Sequence, residues 1–255
     1  ELSIQTHLFL HSTKDVITDV YTDSFVQIKK ELQSTKIYVH SLKDMNYLKD
    51  YDIYKNSILF THGFNYTTDL LKITKKTTTP TLATFGFLLP QKGVFRLVDV
   101  AEELHAQGIK VNLLLLTSIH PASVSNQLKI QLEDKIKKSK ISSYITFNTD
   151  FLDEDVILEK LSDVDKILYL YDTTQESSSA AVRMGLLAQK EVITTPLVIF
   201  DDVKSIVTQT KDNTIHEIIK TIKTSLKDDY DTKNHKSFLI ANSFKNISKT
   251  FYNTI

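Results

Sequence analysis

The 255-residue sequence contains no cysteine, no tryptophan and four prolines. It has five glycines, where average usage of about 7% would supply roughly 18. Each scarcity excludes a class of chemistry. Without cysteine there is no disulfide scaffold, thiolate zinc centre or cysteine nucleophile. Gly63, Gly86, Gly93, Gly108 and Gly185 are too widely spaced for a G-x-G-x-x-G dinucleotide loop. No pair of them makes a Walker A loop before Lys-Ser/Thr, and none frames a G-x-S-x-G nucleophile elbow. Acidic and basic residues balance at 31 each, so no global field draws the chain to nucleic acid or to an anionic membrane. The longest apolar runs, Val111 to Leu116 and Ile167 to Tyr171, are too short to span a bilayer, and no charged start with an apolar core marks a secretion signal. These features predict a cytoplasmic protein without a transmembrane segment. An opening at Glu1 rather than Met fits a processed chain or one lacking an N-terminal region. The histidines show no ligand pair at metal spacing, and His216-Glu217 lacks the second His of H-E-x-x-H, so no metal site is expected.

What is present is an ordinary globular composition, 41% hydrophobic and 24% charged, long enough for one large domain or two smaller ones. From residue 81 the chain alternates strands and helices. Strand Thr81 to Gly86 precedes a helical pattern of Val94, Leu97, Val98, Ala101 and Leu104 that stops at Gly108, a C-cap position. Strand Val111 to Leu116, helix Ser125 to Lys138, strand Tyr144 to Phe147 and helix Asp153 to Leu161 follow, with Asp153 as N-cap. Strand Ile167 to Tyr171, helix Ser179 to Gln189 and strand Glu191 to Thr194 complete the series. Such alternation predicts an α/β fold, a Rossmann-like parallel sheet flanked by helices. A shorter N-terminal series has strands His7 to Leu10, Ile37 to His40 and Ser57 to Thr61, with helices near Ile17 to Leu32 and Ser41 to Asp50. The expected division is a partial N-terminal Rossmann-like domain at 1–73, a linker at 74–80, a second domain at 81–227 and a C-terminal helix at 228–255. A helix Thr214 to Lys227 closes the second domain, and Phe238, Ala241, Phe244 and Phe251 mark the last helix.

Two loops carry candidate chemistry. In Gly86-Phe-Leu-Leu-Pro-Gln-Lys-Gly93, Gly86 permits close approach to a strand end, Gly93 opens a helix whose free amides favour phosphate, and Lys92 adds a mobile charge. The plain alternative is a tight strand-to-helix connection with a solvated lysine. In the second loop, Thr173 and the run Ser177, Ser178 and Ser179 lead into a helix. Arg183, one of two arginines among 31 basic residues, lies one turn beyond Ser179 and is expected to lean back over the helix start as an anion clamp. Glu176 is placed to accept hydrogen bonds from sugar hydroxyls. A merely capped helix with an exposed arginine is the alternative. His11 and His40 follow strands, and His62 precedes Gly63 at a third strand end, so all three are candidates to face a cleft.

In order and spacing, Phe85-Gly-Phe-Leu-Leu-Pro-Gln-Lys-Gly93 and the stretch from Glu176 to Thr195 resemble the donor-binding domain of GT-B glycosyltransferases of the family 4-like group, with its G-(R)-L-x-x-x-K-G and E-x7-E patterns. Ile37-Tyr-Val-His-Ser and Ser57-Ile-Leu-Phe-Thr-His-Gly63 resemble the end of that family's N-terminal domain. The resemblance implies a hexosyltransferase-type enzyme of glycan or polysaccharide biosynthesis. It would use a nucleotide diphosphate sugar as donor, a glycan as acceptor, and no separate cofactor or metal. By position it gives Gly86, Lys92 and Gly93 the donor diphosphate, Glu176 the donor sugar, and His11 an assisting role from the N-terminal side. Two positions depart from the pattern: Phe87 stands where an arginine often follows the first glycine, and Met184 stands where a second glutamate holds the ribose. A catalytically degenerate domain serving assembly or regulation is therefore the alternative reading.

Overall fold

The computed structural model describes residues 7–11, 13, 32, 34–53, 55–66, 78–174, 176–228 and 230–252. Their strands form two separate parallel sheets. The smaller contains β1 (His7–Leu10), β2 (Lys36–Val39) and β3 (Ser57–Leu59) in the order β1-β2-β3. Leu8 pairs with Ile37, and Tyr38 with Ile58. Helix α1 (Leu42–Asp50) follows β2 and is capped by Ser41, whose Oγ accepts from the Asp44 amide at 3.1 Å. The helix expected at 17–32 and most of the expected linker lie outside the described residues.

The larger sheet contains β4 (Thr81–Phe87), β5 (Asn112–Ser118), β6 (Ile145–Asn148), β7 (Lys166–Tyr169), β8 (Glu191–Thr194) and a short β9 (Thr208–Gln209). Their order is β6-β5-β4-β7-β8-β9, with every pairing parallel. Helices α2 (Val94–Ala106), α3 (Ser123–Lys138), α4 (Glu154–Ser162), α5 (Ala180–Leu187) and α6 (Ile215–Ser225) connect or follow these strands.

Strand residues alternate between two cores, as a pleat covered on both faces requires. Leu82, Leu113, Leu115, Leu168 and Ile193 join α2 and α6 in one core. Ala83, Leu116, Ile167, Tyr169 and Val192 join α4 and α5 in the other. A fully buried aliphatic side chain contributes about 1.5–3 kcal/mol, so these two layers hold the second unit together. Gly108 ends α2 with φ +80°, as its C-cap position requires.

The final helical pattern resolves into two helices, α7 (Thr232–Ala241) and α8 (Phe244–Tyr252), rather than one. The break is where Phe64 bridges to Ser243: the Phe64 amide donates to Asn242 O at 3.0 Å, and the Phe244 amide donates to Phe64 O at 2.9 Å. Beyond it, the Phe251 ring lies 5.7 Å from Phe9, 5.4 Å from Tyr38 and 6.2 Å from Phe60, centroid to centroid. The last helix thus packs on the smaller sheet. Gly63 belongs to this packing and not to a cleft, since a Cβ there would stand 2.6 Å from the Phe244 ring.

Candidate functional site

The chain runs from β4 through β5 to β6 on one side and from β7 through β8 to β9 on the other, so the order of strand progression reverses between β4 and β7. Ligands of open α/β sheets bind beyond the carboxyl ends of strands at such a switch point. A cavity of about 580 Å³ opens there, within the range of small-molecule sites. Its lining includes Gly86 and Phe87 at the end of β4, Lys92 in the loop that follows, and Glu176 and Ser179 before α5. Both sequence-predicted loops therefore meet in one site.

The glycines are demanded by local geometry. Gly86 has φ +138°, and a Cβ there would lie 3.3 Å from Ala181 Cβ at the start of α5. Gly93 has φ +67°, and a Cβ would lie 1.9 Å from Leu170 O. Only glycine lets the β4 loop turn against both β7 and α5. Gly93 is buried behind the loop and does not line the cavity. Its contribution is to place Lys92.

Lys92 Nζ lies 3.0 and 3.2 Å from the two Glu176 carboxylate oxygens and 4.3 Å above the Tyr171 ring. Gln91 Nε2 donates to Glu176 at 3.4 Å. Burial pushes the Tyr171 hydroxyl above its ordinary range, so the ring under Lys92 stays neutral. Ser179 caps α5, its Oγ accepting from the Val182 amide at 3.3 Å. Also lining the cavity, the Phe87 ring meets His120 edge-on at 5.1 Å and stacks with Phe151 at 6.5 Å. Phe151 is 83% exposed, an apolar ring with no cover. Asp153 and Glu154, at the start of α4, and Met184 on α5 complete this side. Asp153 holds the N-cap position, yet its side chain makes no capping bond.

Besides Gly93 and His11, four predicted residues lie outside the lining. Thr173 is exposed and outside the lining. Ser177 is buried, its Oγ donating to Asp44 Oδ1 at 2.9 Å and its amide to His11 O at 3.3 Å, which ties the loop to α1 and β1. Ser178 Oγ donates to Asp202 at 3.0 Å. Arg183, expected as an anion clamp, is turned inward and 5% exposed. Its Nε donates to His62 O at 3.1 Å, Nη1 to Ser179 O at 2.9 Å, and Nη2 to Asp202. A guanidinium with three fixed acceptors in a buried pair is an internal brace, so the clamp reading is corrected. Burial lowers the Arg183 pKa, opposed by Asp202. The other arginine, Arg96, is similarly committed to Leu170 O and Asp172.

The three candidate histidines come together outside the cavity. His11, His40 and His62 converge at the carboxyl ends of β1, β2 and β3, with ring centroids 4.7, 5.4 and 5.1 Å apart. One ring nitrogen from each lies within 4.8 Å of the others. His11 is exposed, and none of the three lines the cavity. His40 Nδ1 faces Phe60 O at 2.8 Å, while its Nε2 faces His11 Nδ1 at 3.0 Å. Desolvation lowers the His40 pKa, and desolvation with the nearby Arg183 charge lowers that of His62 to about 3. Spacing in sequence held no sign of this cluster, because topology alone brings the three strand ends together. Asp153 and Phe151 were equally unreadable as site residues, since their loop reaches the cavity only through the β5–β6 pairing.

No protein-family model and no curated protein sequence matches this chain. Solved structures do match. HepE from Anabaena, in complex with UDP and glucose, superposes with TM-score 0.75 at 13% identity over 98% of this chain and 71% of its own. A UDP-forming α,α-trehalose-phosphate synthase from Burkholderia xenovorans, in complex with glucose-6-phosphate, gives 0.77 at 11% identity over 99% and 67%. Sucrose-phosphate synthase from Thermosynechococcus elongatus gives 0.73 at 15% identity over 100% and 68%. The chain has the fold of these GT-B glycosyltransferases, parallel sheets flanked by helices. Among the described residues, no helix is long and apolar enough to cross a membrane.

Proposed function

We propose that the chain binds a nucleotide diphosphate sugar in the β4–β7 cavity and transfers the sugar to a glycan acceptor. The observation that carries this reading is a single cavity lined by both a lysine–carboxylate pair and an open aromatic pair, in a fold shared with HepE, which is crystallised with UDP and with UDP-glucose. Each pair suits one part of such a donor. Phe87 and Phe151 offer apolar faces for a base. Asp153, free of capping duty, and Glu154 supply acceptors for ribose hydroxyls in place of the glutamate that Met184 lacks. Lys92 and the N-terminal end of α5 face the diphosphate.

Transfer breaks the bond between the anomeric carbon and the diphosphate oxygen, whose electron pair leaves with the diphosphate, while an acceptor hydroxyl oxygen bonds to that carbon and its proton passes to the departing diphosphate. The needed stabilisation is of negative charge on the leaving group. Lys92 supplies it on leaving Glu176, whose carboxylate is then free to accept from the sugar. Ion-pair exchange thus couples donor arrival to exposure of Glu176. His11 lies in the histidine cluster beside the site, and no proton transfer is assigned to it.

Calorimetry with UDP, GDP, ADP and their sugars tests the reading. Saturable binding of one base series supports it, and no binding at millimolar ligand by folded protein refutes it. A degenerate, non-catalytic domain is favoured by Phe87 and Met184, the two departures from the family pattern. Sugar-donor hydrolysis or transfer by the wild type, measured alongside, separates the two.

A further inference from the structure

The three-histidine cluster belongs to no part of the donor site. We infer that His11, His40 and His62 form a binding site for one divalent transition-metal ion of the zinc class, held by three imidazole nitrogens with a further position open to solvent.

Geometry supports this first. Tetrahedral zinc with Zn–N bonds of about 2.0–2.1 Å places its nitrogens about 3.4 Å apart. The three candidate nitrogens lie within 4.8 Å of one another, and His40 Nε2 is already 3.0 Å from His11 Nδ1. The rings follow the carboxyl ends of three neighbouring parallel strands of one sheet, which bring the set together.

The outer contacts are those of a metal site. Ligand histidines donate their other ring N–H to a carbonyl or carboxylate, which fixes the tautomer. His40 Nδ1 has Phe60 O at 2.8 Å, an acceptor only, so it carries the proton and leaves Nε2 with its lone pair. His62 Nδ1 faces Ser178 Oγ at 3.4 Å, and that hydroxyl donates to Asp202 at 3.0 Å. The His62 Nδ1–H therefore has an oxygen acceptor backed by a buried carboxylate, leaving its Nε2 as ligand. Asp202 pairs with Arg183 and offsets part of the repulsion that this guanidinium exerts on a cation. His11 is exposed and gives an ion a path from solvent.

Ligand chemistry selects the ion. Three imidazoles suit zinc, cobalt, nickel or copper, and offer no oxygen set to magnesium or calcium. A bound ion would tie the three strand ends to Ser178, and so to the loop that carries Glu176.

The test uses tag-free full chain, dialysed against chelator and free of nucleotide. Zinc chloride is titrated by calorimetry, and cobalt chloride is followed by visible absorption. One ion per chain, with intense bands of low-coordinate cobalt and no uptake of magnesium, is expected. His11→Ala, an exposed substitution, should weaken zinc at least about 10-fold, and Ser178→Ala by about 10-fold as an outer-contact loss. Circular dichroism without metal verifies that both variants fold. His216→Ala is the control and should bind as wild type. Absence of saturable zinc uptake, or equal uptake by His11→Ala, overturns the site. Because no nucleotide is present, either result stands apart from the donor titrations.

Discussion

The ion pair between Lys92 and Glu176 yields the sharpest test of the donor reading, through Glu176→Gln. The pair is partly exposed, with 12% and 35% of the side chains accessible. Its strength is therefore that of a surface pair, about 0.2–1 kcal/mol. If Lys92 must leave Glu176 to meet the diphosphate, then removing the carboxylate charge returns that energy to binding. UDP should bind Glu176→Gln about 1.4 to 5-fold more tightly than wild type. Lys92→Ala loses a charged hydrogen bond of about 1.5–3 kcal/mol but has no pair to break, so the net loss is about 0.5–2.8 kcal/mol. In the Lys92→Ala background, Glu176→Gln should have no effect on UDP. The UDP-sugar should gain less from Glu176→Gln than UDP does, because the proposed sugar contact is weakened. Isothermal titration of the four proteins with UDP and UDP-glucose reads all these terms at fixed salt. If Glu176→Gln weakens UDP as strongly as Lys92→Ala does, the carboxylate does not restrain the lysine and the exchange mechanism fails.

Arg183→Ala leaves the buried Asp202 carboxylate unpaired and should cost about 3–5 kcal/mol in urea unfolding, with UDP affinity of the folded fraction unchanged. A large loss of UDP affinity would return Arg183 to the donor site. Gly93→Ala must clear a 1.9 Å approach to Leu170 O as well as adopt φ +67°, and should cost more than about 3 kcal/mol. Gly108→Ala has open space and bears only the left-handed conformation, about 1–2 kcal/mol; equal losses would show that the Leu170 contact is harmless. Asp153→Asn should weaken UDP more than the base-free diphosphate, and Met184→Glu should partly restore it; weakening both equally would remove the ribose role from Asp153. His235 is 1% exposed and its pKa is pushed down to about 4, chiefly by burial. The unfolded chain takes up this proton first, so stability present above pH 6.5 is lost as pH falls toward 4, by about 1.4 kcal/mol per unit for this histidine. Urea unfolding from pH 7 to 4.5 should show that slope flattened in His235→Gln; parallel curves would refute it.

Much of the larger unit was legible because its rules are local. Continuous apolar runs marked β5 and β7, helical spacing marked α2, and the sparing use of glycine pointed to Gly86, Gly93 and Gly108, each with positive φ. Ser41, Ser179 and Thr214 cap helices as their residue type allows. The alternation of elements was enough for the α/β class, because parallel strands need crossover helices. Lys92 and Glu176 were found from their loops, and they meet at 3.0 Å.

The direction in which long side chains turn was not legible. Arg183 has the right spacing for a clamp, yet Asp202, distant from the motif, holds it inside. The single helix read from Phe238 to Phe251 fails at Ser243, because Phe64 takes a backbone pairing there that no local preference predicts. The need for glycine at position 63 is equally non-local, since it is set by the Phe244 ring packed on its face.

The sequence by itself determined which segments are strands, which loops turn tightly and which residue types stand in them, since these follow from dihedral freedom and periodicity along the chain. Tertiary structure alone decided which loops share a cavity, which charges are consumed internally and that His11, His40 and His62 meet. Those outcomes depend on strand order, and strand order is set by the burial of whole faces rather than by any residue's neighbours in sequence.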